Sequence, residues 1–172
     1  MDANKNADVL IGASPKNVFS KELIKEMADK PIVFALSNPI PEIDYYEAKK
    51  AGAFVVATGR SDFPNQINNF IAFAGVLRGI LNIHANSVNN EMFIGASNAL
   101  AMMIKDSEIN SENIIPKFKD EKSTMEIIIA VANEVAKQAI KTKVTKQRNN
   151  EKQNIKEMKE LFKKYNKLEK CL

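Results

Sequence analysis

The chain has 172 residues, 45% of them apolar, enough for a domain with a real core; its one cysteine, Cys171, allows no intramolecular disulfide and fits a reducing, cytoplasmic setting. Its start, Met1–Asp8, is polar, and no apolar run reaches the length of a membrane span, so neither a signal peptide nor a membrane is expected. The net charge of +4 is uneven: residues 1–136 hold 13 Lys/Arg against 17 Asp/Glu, giving −4, while residues 137–172 hold 12 against 4, giving +8. The high pI therefore belongs to the tail and does not mark the chain as a nucleic-acid binder.

Met1–Asn6 is a polar extension. Ala7–Gly12 reads as a buried strand ending in Gly-Ala-Ser-Pro. Ser20 caps a helix predicted to run through Ala28, with Leu23, Ile24 and Met27 on one face. Pro31 opens the apolar run Ile32–Leu36, the pattern of a strand covered on both faces. Ser37-Asn38-Pro39-Ile40-Pro41 cannot continue it, because two prolines fix the loop and remove backbone donors. Asp44 caps a short helix through Lys50, Gly52 ends it, and Phe54–Thr58 is the third strand. Strands alternating with helices over short links argue for a parallel sheet with right-handed crossovers. The fold class is α/β: a partial Rossmann-like, doubly wound parallel sheet followed by C-terminal helices. No Gly-x-Gly-x-x-Gly follows a strand anywhere in the chain.

Gly59–Asn69, loaded with short polar side chains, turns the third strand into a helical pattern over Phe70–Leu81. In open α/β sheets ligands sit at such turns, beyond the carboxyl ends of strands. Asp62 or Asn65 is expected to cap this helix, with Pro64 in its first turn. Asn68 then falls inside it, with Ala72, Gly75 and Gly79 continuing a small-residue stripe that another backbone or a ligand can approach. Ile67, Phe70, Ile71, Ala74, Leu77 and Leu81 are expected to form its core face. Asn68 and Asn69 offer donors and acceptors without charge; the plainer alternative is a pair of capping or surface asparagines.

Asn90–Ile104 is a further helix, with Met92, Ala96, Ala99, Leu100 and Met103 along one face. Ile109–Glu121 is a loop. Ser123 or Thr124 is expected to cap a long helix through Ile140 that packs Ile127, Ile128, Val131, Val135 and Ala139 inward. Residues 141–172 form a basic tail. Its Lys/Glu helix, with Ile155, Met158, Leu161, Phe162 and Tyr165 at amphipathic spacing, suits docking on the domain or on a partner better than nucleic acid or an anionic membrane.

The turn Gly-Arg-Ser-Asp-Phe-Pro-Asn-Gln-Ile-Asn-Asn resembles the Gly-Arg-Ser-Asp-(Phe/Tyr)-Pro-Asn-Gln-x-Asn-Asn signature of bacterial-type, NAD(P)-dependent malic enzymes. Asp8–Gly12 (Asp-Val-Leu-Ile-Gly), Pro31–Pro39 (Pro-Ile-Val-Phe-Ala-Leu-Ser-Asn-Pro) and Ile40–Glu42 (Ile-Pro-Glu) resemble the same family in the same order. The resemblance runs from about residue 7 to about residue 140 and covers the carboxyl-terminal part of the family's NAD-binding domain. It implies oxidative decarboxylation of malate to pyruvate and CO2: hydride transfer from C2 to NAD or NADP, then loss of CO2 while a divalent metal, Mg or Mn in the complete enzyme, polarises the carbonyl. By resemblance, Asn38 contacts substrate and lies beside the nicotinamide, while Asn68 and Asn69 hold the malate carboxylate and neighbouring cofactor atoms. Gly12 and Ser14 match the strand end that runs along the dinucleotide. The residue that distinguishes NAD from NADP lies upstream in this family, so the resemblance implies either.

Other residues have competing readings. Asn38 also suits an Asx-turn before Pro39, and Gly12 and Ser14 an ordinary strand-to-loop turn. Arg60 suits either an anion contact or a cover over the sheet edge. His84, the only histidine, suits a surface or helix-end role, and Cys171 is not expected to be a nucleophile. The family's catalytic tyrosine and lysine, and its metal-binding Glu-Asp pair and aspartate, have no counterpart here. The chain thus reads as a fragment, a split-gene product or a degenerate copy that binds ligand without catalysing. The competing class is a non-catalytic interaction domain of Rossmann type. Either way a short parallel sheet leaves an edge exposed, so an upstream malic enzyme fragment or a second copy is the expected partner.

Overall fold

The structure is a computed structural model, and it describes residues 4–145 together with Lys156, Glu157 and Glu160. The amphipathic tail positions Ile155, Met158, Leu161, Phe162 and Tyr165, and Cys171, lie outside the described residues. The chain divides into two compact units, residues 1–68 with 104–115, and residues 69–103 with 116–172.

The first unit is built on three strands, β1 (Val9–Gly12), β2 (Ile32–Ala35) and β3 (Val55–Thr58), in the order β1-β2-β3 and all parallel. The expected α/β parallel fold is thus what the chain adopts. The register is flush: Val9, Ile32 and Val55 share one level, and Gly12, Ala35 and Thr58 another. The two crossovers carry α1 (Lys21–Lys25) and α2 (Tyr45–Lys50). Ser20 Oγ accepts from Leu23 N–H, and Asp44 Oδ1 from Tyr46 and Glu47 N–H, so both helices start at the caps read from sequence. Gly52, at φ +112°, turns the chain out of α2 in a conformation other residues resist. Ile24, Met27, Tyr45 and Ala48 pack with Val33, Ala35 and Val56, side chains that alternate onto one sheet face. On the opposite face, cover falls away toward β1: Ala57 is fully buried, while Val9 and Ile11 are 47% and 63% exposed. Ala7–Gly12, expected as a buried strand, is thus exposed along one face, while β2, expected to be covered on both faces, is buried at Val33 and Ala35 and half-buried at Ile32 and Phe34.

The second unit is helical: α3 (Phe70–Asn82), α4 (Asn90–Ala101) and α5 (Glu121–Lys141). Its core joins Ile83, Met92 and Ala96 to Val131, Val135, Ala136 and Ala139. α3 inverts the expected orientation. Ile71, Gly75 and Gly79 face inward, while Phe70, Phe73, Leu77 and Leu81 are exposed. The glycines decide this. A Cβ on Gly75 would lie 2.5 Å from Val131 Cβ, and one on Gly79 2.7 Å from the Ala132 carbonyl oxygen, so the small stripe is where α5 approaches. The α5 cap is also corrected. Asp120 accepts from Ser123 N–H (2.7 Å), and Ser123 Oγ answers as acceptor for Asp120 N–H (3.0 Å); Ser123 and Thr124 lie within the first turn.

Candidate functional site

Parallel strands carry their ligand side beyond their carboxyl ends. In the first unit three loops leave that side: one from Gly12, one from Ser37 to Glu42, and one from Gly59 to Asn68. Two pairs of contacts link them in series.

The first link is Glu42, fully buried and, among the described residues, without a cation beside it. Its Oε1 accepts from Ser14 N–H (2.8 Å) and the Ser14 hydroxyl (3.2 Å), and its Oε2 from Ser37 N–H (3.0 Å). Burial by itself pushes the carboxyl's pKa up. The Ser37 and Ser14 N–H groups, its own backbone N–H and the Ser14 hydroxyl outweigh that and hold it below its ordinary value. Gly12 lies against this carboxylate so closely that a Cβ there would sit 2.6 Å from Glu42 Cδ. The second link is Asn38. A Cβ on Gly59 would sit 2.6 Å from Asn38 Nδ2 and 2.9 Å from Oδ1, so the amide of Asn38 lies across the start of the third loop. Asn38 is otherwise exposed, as is Ser14. The Asn38–Pro39 peptide is cis.

The third loop folds back on its own strand. Ile67 N–H donates to Thr58 O (2.8 Å), and Arg60 N–H to Thr58 Oγ1 (3.2 Å). Neither candidate cap serves α3. Asp62 takes Arg60 Nε at 2.8 Å, and the guanidinium lies 5.5 Å over the Phe63 ring. That pair holds Asp62 below and Arg60 above their usual pKa values, first through the shared hydrogen bond. Beyond its own loop, Arg60 reaches the Pro39 carbonyl at the longer distance of 3.4 Å.

Asn65 is buried at φ +56°, donates to Val56 O (3.1 Å) and Ser111 O (2.8 Å), and accepts from Ile114 N–H (3.0 Å). Its side chain satisfies strand and loop backbone rather than a helix start. α3 accordingly begins four residues later than a cap at Asn65 would place it. Asn68 stands before the helix and is half-buried; it is not inside it. Asn69 occupies the helix-start position in the second unit, exposed, with no side-chain capping bond. The structure therefore joins Gly12, Ser14 and Asn38 through Glu42 and Gly59, and sets Asn68 at the far end of the third loop.

His84 stands at the carboxyl end of α3, exposed, with φ +50°. Its N–H donates to Leu81 O (3.2 Å), the helix-end role its sequence suggests. Among the described residues no group of three His, Cys, Asp or Glu is placed to hold a metal ion. In the sequence Glu42 stands out only as the end of the Ile-Pro-Glu motif; its burial depends on Ser14 and Ser37, which local sequence does not bring to it.

The family model for the malic enzyme NAD-binding domain matches residues 3–140. The chain belongs to this family. It is 44% identical over 145 residues to the bifunctional malic/malolactic enzyme of Bacillus subtilis, a match covering 84% of this chain and 34% of that one. Among solved structures, it resembles the malic enzyme of Entamoeba histolytica with a TM-score of 0.88 at 40% identity, over 99% of this chain and 35% of that one. The malic enzyme of Pyrococcus horikoshii superposes with a TM-score of 0.85 at 38% identity, over 96% and 37% of the respective chains. The chain thus spans about a third of the relatives it matches. Within the described residues no helix is long and apolar enough to cross a membrane.

Proposed function

We propose that this chain is the part of a malic enzyme that holds the nicotinamide dinucleotide and the malate, and that it does not by itself complete the reaction. The observation that supports this most directly is the series Ser14–Glu42–Ser37 and Asn38–Gly59 at the carboxyl ends of three flush parallel strands. The arrangement suits an anionic dinucleotide. The one acid among these loops that carries no cation, Glu42, has its charge turned inward and hydrogen-bonded, and Asp62 is paired with Arg60. What remains outward at Ser14 and Asn38 is neutral and polar.

In this reading Gly12 and Ser14 lie along the dinucleotide, Asn38 and Asn68 reach both cofactor and substrate, and Asn68 and Asn69 orient a malate carboxylate. An amide can hold a carboxylate without fixing its protonation state, and orientation alone lowers a barrier substantially. When bound, NAD or NADP accepts the hydride from malate C2. Among the described residues no group of three His, Cys, Asp or Glu is placed to hold a metal ion, so no step through Mg or Mn is assigned to them. An upstream malic enzyme polypeptide would bring those groups; β1, with Val9 and Ile11 exposed, is the edge where it or a second copy would pair.

Calorimetric titration of the purified chain with NAD+ and NADP+ tests the reading. Saturable binding that weakens on Asn38→Ala is expected; binding indifferent to Asn38 overturns it. Malate with Mg or Mn should yield no NAD(P)H from the chain alone. Metal-dependent NAD(P)H production by the pure chain, with host enzyme excluded, refutes the division of labour.

A further inference from the structure

We infer that Glu42 is the positioning residue of this ligand side: its buried carboxylate locks the loop after β1 to the loop after β2, and so fixes where Ser14 and Asn38 stand. The inference rests on the dinucleotide reading above and assigns Glu42 no ligand contact of its own.

A carboxylate taken out of water without a cation persists only where donors fill its lone pairs. Here the donors from neighbouring segments belong to two loops and no more. Ser14 commits both its N–H and its hydroxyl to Oε1, so this side chain is oriented before a ligand arrives. Ser37 commits its N–H to Oε2, which fixes the backbone immediately before Asn38. Glu42 is itself held from behind. Its carbonyl accepts Phe19 N–H (3.0 Å), and the Pro41 carbonyl accepts Asn17 N–H (3.2 Å), both from the segment between β1 and α1. Gly12 completes the fit, since no side chain could stand between the end of β1 and the carboxylate. A neutral residue of the same shape cannot replace it. In Gln one oxygen becomes an NH2 group, which would face an N–H donor and leave that donor buried without an acceptor.

The test compares the full chain with its Glu42→Gln variant by NAD+ titration and by residue-resolved amide exchange. NAD+ binding should weaken about ten- to hundredfold, the loss of one or two charge-assisted hydrogen bonds. The Ser14 and Ser37 amides should exchange faster by a clearly larger factor than the Val33 and Val56 amides, whose smaller change reports the loss of global stability. A purely structural role would speed sheet and loop amides by the same factor, and that outcome overturns the inference. Wild-type affinity in the variant, or unchanged Ser14 and Ser37 amides, also overturns it. A wild-type chain that binds no NAD+ while its variant loosens the loop amides more than the sheet amides keeps the lock and discards the dinucleotide reading. If Glu42→Gln does not fold, Ser14→Ala removes one of the three bonds, and a smaller weakening of NAD+ binding with faster Ser37 exchange is expected in its place.

Discussion

The two units bury their difficult residues in opposite ways. In the sheet unit, the buried polar side chains Glu42, Thr58 and Asn65 are hydrogen-bonded to backbone of loops or strands distant in sequence, or to the turn they begin. In the helical unit, close approach is achieved by omission: Gly75, Gly79 and Gly95 offer no side chain where α5 passes. Polar satisfaction there is less complete, since Asn82 Nδ2 and Asn133 Oδ1 are buried without a partner in the described residues. Hydrogen-bonded polar groups fix a geometry, because each bond is directional and each loss leaves a desolvated partner. Glycine contacts fix only a distance. The first device suits loops that must hold fixed positions; the second suits helices packed side by side.

Four substitutions probe that contrast. The largest effect is expected for Asn65→Ala, which strands Val56 O, Ser111 O and Ile114 N–H and leaves Ala at φ +56°; a loss of about 3–5 kcal/mol in denaturant unfolding is expected. A cost under about 1 kcal/mol would show that these bonds do not carry the unit. Glu42→Gln follows, with about 2–3 kcal/mol at neutral pH. Because the folded pKa of Glu42 is depressed, its contribution is present above the unfolded value and is lost as pH falls through the folded one. Wild-type melting temperature should therefore drop below about pH 4.5, and part of that drop should vanish in the variant. Identical acid profiles would contradict the depressed pKa.

Gly79→Ala comes third. The added methyl meets a backbone carbonyl that cannot step aside, and about 1–3 kcal/mol is expected from thermal unfolding. Leu81→Ser should matter least to stability, within about 0.5 kcal/mol, because Leu81 is 64% exposed. A large destabilisation would mean that the outward face of α3 is buried after all, and the comparison between the units would need redrawing.

The sequence carries the sheet well and the site only in part. Three apolar runs spaced by helical segments suffice for the strands and their parallel direction, though not for their order, and Ser20 and Asp44 act locally, so their caps are legible within three residues. Asn65 is illegible by the same logic. Its partners Ser111 and Ile114 lie 46 and 49 positions away, and only those contacts turn a plausible cap into an internal tie. The α3 face fails for a related reason. Read alone, its large apolar residues look like core; the partner that selects the glycine side is α5, some fifty residues later. Glu42 was visible as part of a motif but not as a lock, since burial of an acid depends on donors that sequence does not place.

The flush register has a consequence for how this domain can vary. Three strands of four residues end on one level, so Gly12, Ala35 and Thr58 form a ledge whose steps are about 4.8 Å wide. A single residue inserted between Phe34 and Ala35 would carry the Ser37–Glu42 loop about 3.3 Å up that ledge and turn its side chains to the other face. The crossover helices have no such constraint, because a longer α1 or α2 returns to the same starting level. Insertions and deletions across relatives should therefore gather in the crossovers and spare the strands, a pattern that an alignment can check without any experiment on this chain.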